Sequence, residues 1–214
     1  MRNLLLPYLA KRIPQLFLQQ VPEALEAAYF DAFTNAQQRC AAPERTRVRG
    51  QLRHYYQNGA LRRLADETGV DATAAHTTPK GERYTRLLFD DIVLGRTGVR
   101  FTNRQPSPAK HRREIAALNS RFEPITQDLF EPNRELPSDG LGVLLVTVHP
   151  RNDDDQSVPN HFVVGVPYSN LKGWHLFEPL PAVLSAYTSP PNETIVDIAF
   201  PILKKMLRDA EGGA

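Results

Sequence analysis

The chain has 214 residues, 41% hydrophobic and 23% charged, with a formal net charge of +2, which allows one large or two small domains around a buried core. No apolar run approaches the roughly 18 residues of a membrane span, and Pro7 cuts the opening leucines too short for a secretory core. A single cysteine, Cys40, excludes an intrachain disulfide, so the expectation is a reduced, cytoplasmic protein with no membrane partner.

Leu4 to Gln20 reads as one or two short helices, kinked or divided at Pro14. Pro22 then starts a longer helix to about Arg39, with Glu23 and Glu26 where the helix dipole favours acids. Leu25, Ala28, Tyr29, Ala32 and Phe33 recur on one helical face. That stripe fits a core or an interface between helices, and the N-terminal helices are candidates for a homodimer contact.

The stretch Pro43 to Gly69 holds Arg45, Arg47, Arg49, Arg53, Arg62 and Arg63, with His54, Tyr55 and Tyr56 among them. Pro43-Glu44 supplies a helix start and Gly69 a stop. At 100° per residue, Arg45, Arg49, Arg53, Tyr56 and Arg63 fall within roughly 80° of one another. Gly50 weakens the helix and Asn58-Gly59 is a turn dipeptide, so two helices, about 44–57 and 60–68, are expected here. From Leu64-Ala65 through Gly69-Val70 to Thr73 the chain resembles the helix-turn-helix pattern, in which glycine makes the turn and alanine permits close packing. Asp71 would cap a short second helix ending at Pro79.

Arg83 to Thr102 changes to β character and reads as a hairpin with its turn at Gly95-Arg96-Thr97-Gly98. Helix, helix, short helix and hairpin is the order of a winged helix-turn-helix, which makes 44–102 winged-helix-like and puts Arg96 and Arg100 on the wing. Ser107-Pro108 opens a helix to about Phe122 with Lys110, Arg112 and Arg113 clustered on it. Residues 123–139 read as irregular. Gly140 to Val148 is a near-continuous apolar run, the mark of a central strand. With His161–Val166 and Trp174–Phe177 it makes an antiparallel meander over 141–178. Pro181–Tyr187 and Val196–Arg208 read as helices, and the second would cover the sheet.

The class is therefore α+β: N-terminal helices, a β-hairpin, then a mostly antiparallel sheet covered by helices. A helical, basic part over 1–122 and a sheet part over 140–214 are expected; one continuous domain over 1–214 is the alternative. Charge divides along the same line. Residues 39–121 hold 17 Lys and Arg against 8 Asp and Glu, while residues 122–214 hold 6 against 13. Such a split suits either a polyanion-facing part or two parts that neutralise each other.

The candidate nucleic-acid contacts are Arg45, Arg49, Arg53, Tyr56, Arg63, Arg96, Arg100, Lys110, Arg112 and Arg113. Lys and Arg neutralise phosphates and release counterions, and aromatic rings stack on bases. His149, Asp155 and His161 are the candidates for a metal, since imidazole with carboxylate holds zinc-like ions. Asp90-Asp91 would supply half of a magnesium nuclease site, but no acid-x-Lys occurs in the chain. No phosphate loop, dinucleotide fingerprint or Gly-x-Ser-x-Gly occurs either, so no cofactor is expected. The reading favoured by the sequence is a non-enzymatic nucleic-acid-binding protein, with a DNA-binding regulator as its narrower form. A protein–protein interaction module and a metal-dependent hydrolase or nuclease stand as its alternatives.

Overall fold

A computed structural model describes residues 1–77, 81–123 and 140–187. It shows an α+β fold, with a mostly antiparallel sheet and helices on both of its faces. The expected helix at 196–208 and nearly all of the stretch 123–139 lie outside the described residues.

Helix α1 (Arg2–Arg12) ends before Pro14, and α2 (Gln15–Arg39) begins directly after it. Pro14 thus divides the segment as its missing N–H and fixed φ demand. Pro22, expected to start a helix, instead lies inside α2. Its interior cost of roughly 3 kcal/mol is offset by burial of Phe17, Leu18, Val21 and Leu25 around it. The link 40–41 turns the chain into α3 (Ala42–Thr68), which runs back along α2. Leu25, Ala28, Tyr29 and Ala32 are buried within the chain.

Helix α3 is continuous through Asn58-Gly59, where a break was expected. Asn58 serves as a clamp rather than a turn. Its amide donates to the His54 carbonyl at 2.7 Å, and its Oδ1 accepts the Thr85 N–H at 3.2 Å. Gly69, at φ 68°, caps the helix in the left-handed conformation that glycine adopts without strain.

The sheet follows: β1 (Asp71–His76), β2 (Arg83–Phe89), β3 (Ile92–Val99), β4 (Leu141–Val148), β5 (His161–Pro167) and β6 (Trp174–Pro179). Helix α4 (Lys110–Ala117) and a 3₁₀ turn (Ser120–Phe122) lie between β3 and β4, and α5 (Leu180–Ser185) follows β6. The strands are ordered β1 to β6, and all neighbours are antiparallel except β3 and β4. The meander over 141–178 is as expected. The sheet continues across both of the parts suggested by the charge division, joined by the parallel register Ile92↔Leu141 to Val99↔Val148.

Two local expectations are overturned. Residues 71–76 are strand β1, paired along β2 from Asp71↔Leu88 to His76↔Arg83, so no recognition helix follows Gly69 and 44–102 is not winged-helix-like. The segment has no apolar stripe to bury as a helix, whereas as a strand it satisfies its backbone along β2. The hairpin turn lies at Asp90-Asp91, with Asp90 at φ 48°, a conformation aspartate tolerates. Gly95 and Gly98 are instead inside β3, where they permit close approach. A Cβ at Gly95 would lie 2.4 Å from Ile115 Cδ1, and one at Gly98 2.5 Å from His149 Nε2.

The core is divided by the sheet. On one face Ile92, Leu94, Leu141, Val143 and Leu145 pack with α1, α2, α3 and α5. On the other, Ile115 of α4 packs with Val146, Val148 and Val163. All eight residues of β4 are buried, as a central strand covered on both faces requires.

Candidate anion-binding cleft

Three elements lose their apolar character at the same level. Along β3, the helix-side positions Ile92 and Leu94 give way to Arg96 and Gly98. Along β4, Leu141, Val143 and Leu145 give way to Thr147 and then His149. On α3, Leu64 and Leu61 give way to Gln57 and Arg53 toward the helix start. Side chains alternate on a strand and recur every three or four residues on a helix, so these polar groups converge. They sit beyond the core, at the carboxyl ends of the two parallel strands, where open α/β sheets place their ligands.

The seat is built from the inside outward. Gln57, fully buried, donates to the Leu25 carbonyl at 3.3 Å, and its Oε1 accepts Arg96 Nη1 at 2.5 Å and Thr147 Oγ1 at 3.4 Å. Arg96 is thereby held in place with only 8% of its surface exposed. Arg53, 7% exposed, lies 3.8 Å above the Tyr29 ring and donates to the Gln156 carbonyl at 2.5 Å. The Tyr29 hydroxyl lies 3.1 Å from His149 Nδ1.

A fork in the sheet admits the remaining groups. Strands β2 and β3 pair only over Leu87–Phe89 and Ile92–Leu94. Beyond that, Thr85 takes its backbone and hydroxyl partners from Asn58 of α3. The N-terminal end of α4 enters this gap. His111 stacks on Tyr84 with ring centres 4.5 Å apart, and Arg112 is anchored by the Ser107 carbonyl and by Ser107 Oγ at 2.8 Å.

The resulting field is net positive: Glu82 and Asp153 border the space but are outnumbered by the arginines that line it. Among the described residues the ion pairs are Arg2–Glu178 and Arg12–Asp91, and neither touches this region. Asp154 accepts the Arg151 N–H and Asp155 binds Ser157, so these acids are engaged within their own loop. The Nε atoms of Arg49, Arg53, Arg96 and Arg112, and Nε2 of His111, are buried without a hydrogen-bond partner. Burial, reinforced by neighbouring arginines, pulls His149 and His111 down to about 4 and also lowers His54. Burial lowers Arg53 and Arg96 to about 10 and Arg112 below its ordinary value. At neutral pH the guanidiniums are charged and the imidazoles neutral.

The space has three adjoining parts that share lining residues. A throat of about 150 Å³ is lined by Arg53, His54, Gln57, Arg96, Arg112 and His149. A cleft of about 630 Å³ shares Gly50, His54 and Arg112 with it, and another of about 750 Å³ shares Gly50, Arg53 and His149. Buried donors with no acceptor cost about 1–3 kcal/mol each, more when charged. A multivalent oxyanion fits this donor set, because guanidinium groups match phosphate and carboxylate oxygens geometrically.

Of the residues singled out in the sequence, Arg53, Arg96 and Arg112 line the throat. Arg49 and Arg100 line the 750 Å³ cleft and Lys110 the 630 Å³ cleft. The others lie elsewhere. Arg45 donates to the Cys40 carbonyl, Tyr56 packs against the core, Arg63 lines a separate groove with Glu23 and Glu67, and Arg113 is exposed outside the three cavities. Arg96 is not on a wing tip but inside the sheet. His54, Gln57, Thr147, His111 and Tyr29 were missed as site residues. The signal for Gln57 was a polar side chain one turn from Arg53 on a face otherwise bound for the core.

The metal candidates are engaged separately. His149 meets Tyr29, Asp155 meets Ser157, and His161 Nδ1 lies 2.5 Å from Asn160 Oδ1. Among the described residues no group of three or more His, Cys, Asp or Glu is placed to hold a metal ion. Asp91 is bound by Tyr8 and Arg12 at the opposite end of β3 from the throat. Among the described residues, no helix is long and apolar enough to cross a membrane. Compared with models of known families, with curated proteins and with solved structures, the chain matches none.

Proposed function

We propose that this protein binds nucleic acid by seating a backbone phosphate between Arg53, Arg96 and Arg112. The observation that carries the reading is the buried, unpartnered guanidinium nitrogen on each of these arginines, with no carboxylate paired to any of them among the described residues. A cationic cluster of this kind is costly while empty and favourable once an anion accepts its hydrogen bonds. Arg49 and Arg100 along the larger flanking cleft, where arginines outnumber Asp153, extend the positive field beyond one phosphate. That extension favours a polyanion over a single small anion.

The test is fluorescence anisotropy of labelled oligonucleotides titrated with the protein at several salt concentrations. Binding should weaken linearly in log–log form as salt rises, because neutralised phosphates release counterions. Inorganic phosphate should compete, and replacing Arg53 and Arg96 together with Ala should remove the binding. A response that ignores salt and both arginines would overturn the reading.

A further inference from the structure

We infer that the ligand is a continuous single strand threaded past Gly50, which keeps the throat between the two clefts open. This rests on the phosphate seat proposed above and names the form of nucleic acid that seat accepts. Gly50 lies inside α3 and lines all three cavities. A glycine there weakens the helix relative to alanine, and packing does not account for it. A Cβ at Gly50 would meet nothing within 4 Å, whereas a Cβ at Gly142 would stand 1.9 Å from the Ile115 carbonyl. Nor does Gly50 occupy the left-handed backbone region. A side chain at position 50 would project into the open space that the throat and both flanking clefts border.

The dimensions of the three parts suit a strand. The throat of about 150 Å³ accommodates a phosphate group, and the flanks of about 630 and 750 Å³ accommodate nucleosides on either side. Each flank also carries an aromatic ring. Tyr55, 48% exposed, lines the smaller cleft with its hydroxyl 3.1 Å from Glu82. Phe101 lines the larger, with the Arg151 guanidinium 4.6 Å from its ring centre. Base stacking on such rings is tolerant of sequence. A duplex holds its phosphates on a stiff backbone with its bases turned inward, so it offers neither a recessed phosphate to Arg53 and Arg96 nor free base faces to Tyr55 and Phe101.

The experiment measures binding of fluorescein-labelled uridylate and thymidylate, as mononucleotide and octanucleotide, together with a blunt duplex and competing inorganic phosphate. The octanucleotides are expected to bind about tenfold tighter, or more, than the mononucleotides and the duplex, as stacking of one further base supplies. Gly50→Leu is expected to weaken octanucleotide binding about tenfold while leaving the Tm unchanged or raised, since leucine is the better helix former. Gly50→Ala should fall between. Tyr55→Ala, at an exposed position, should lower octanucleotide affinity without altering phosphate competition. Equal binding of the duplex, or octanucleotide affinity unchanged in Gly50→Leu, would overturn the threaded path. Phosphate binding without length dependence would also overturn it while leaving the phosphate seat standing. Absence of binding by every oligonucleotide and by phosphate would overturn both.

Discussion

The two ends of the parallel pair β3 and β4 carry the same alternation and treat charge in opposite ways. At the start of β3, Asp91 is compensated in charge: Arg12 Nε lies 2.7 Å from Oδ1 as an ion pair without hydrogen-bond alignment, and the Tyr8 hydroxyl donates to Oδ2. At the far end, Arg53, Arg96 and Arg112 are recessed with nitrogens left unpartnered, and no carboxylate is paired with them among the described residues. The first arrangement closes a structural contact between α1 and the sheet. The second leaves hydrogen-bonding capacity that only something outside the described chain can satisfy. Charge in one place is paired within the fold, and in the other the guanidinium Nε atoms are without a partner among the described residues.

Substitutions at the two ends should therefore separate binding from stability. Replacing Arg53 and Arg96 together with Ala should weaken oligonucleotide binding by more than about 100-fold, given the roughly 1.5–3 kcal/mol of each charge-assisted hydrogen bond. Thermal unfolding should show the double variant folded, because an uncompensated buried charge has been removed along with its partner-seeking donors. Loss of folding with no separable loss of binding would erase the distinction between the ends.

Acid titration gives the next largest effect. His111 and His149 are pulled from an ordinary 6.5 to about 4 in the folded chain. Between those values the unfolded chain binds more protons than the folded one, so stability falls as pH drops from about 6.5 toward 4. For the well-buried His111 alone the loss is on the order of 2–3 kcal/mol. Denaturant midpoints across this range should show it, and saturating phosphate should reduce it by favouring the charged imidazoles.

At the compensated end, Asp91→Ala should cost about 1 kcal/mol, the scale of a half-exposed ion pair with an added hydrogen bond. It should leave oligonucleotide affinity untouched. The smallest effects belong to Arg63 and Arg113, which lie outside the throat and its flanking clefts. Ala at either position should change binding by no more than about twofold at moderate salt.

The division between legible and hidden features follows the range of the forces involved. Pro14, Pro43 and Gly69 mark helix ends through their own backbone chemistry, and the structure places ends at or beside each of them. The buried strand at 141–148 was legible because all eight of its positions are apolar or small. Gly95 and Gly98 misled because glycine serves turns and close approaches alike. What decides between those uses is Ile115 and His149, which are distant in sequence. Asp71 after Gly69 carries the mark of a helix cap, yet pairing with β2 makes the segment a strand.

The site shows the same division. Arg49 and Arg53 were visible from helical periodicity. Arg96 is legible in the sequence by its charge but not by its position, because its burial depends on the parallel pairing of β3 and β4, which no local signal announces. That pairing also brings Thr147 and His149 beside it. His149 carries the chemistry of a metal ligand in the sequence, and its place is instead in the throat beside Tyr29.

The most direct test of the central claim is an anisotropy titration of a labelled octanucleotide at about 50 mM salt, run in parallel with the wild-type chain and Arg53→Ala/Arg96→Ala. The two buried arginines as a phosphate seat predict saturable, salt-sensitive binding by the wild type and its loss in a folded double variant. Equal binding by both chains, or none by the wild type, would contradict it.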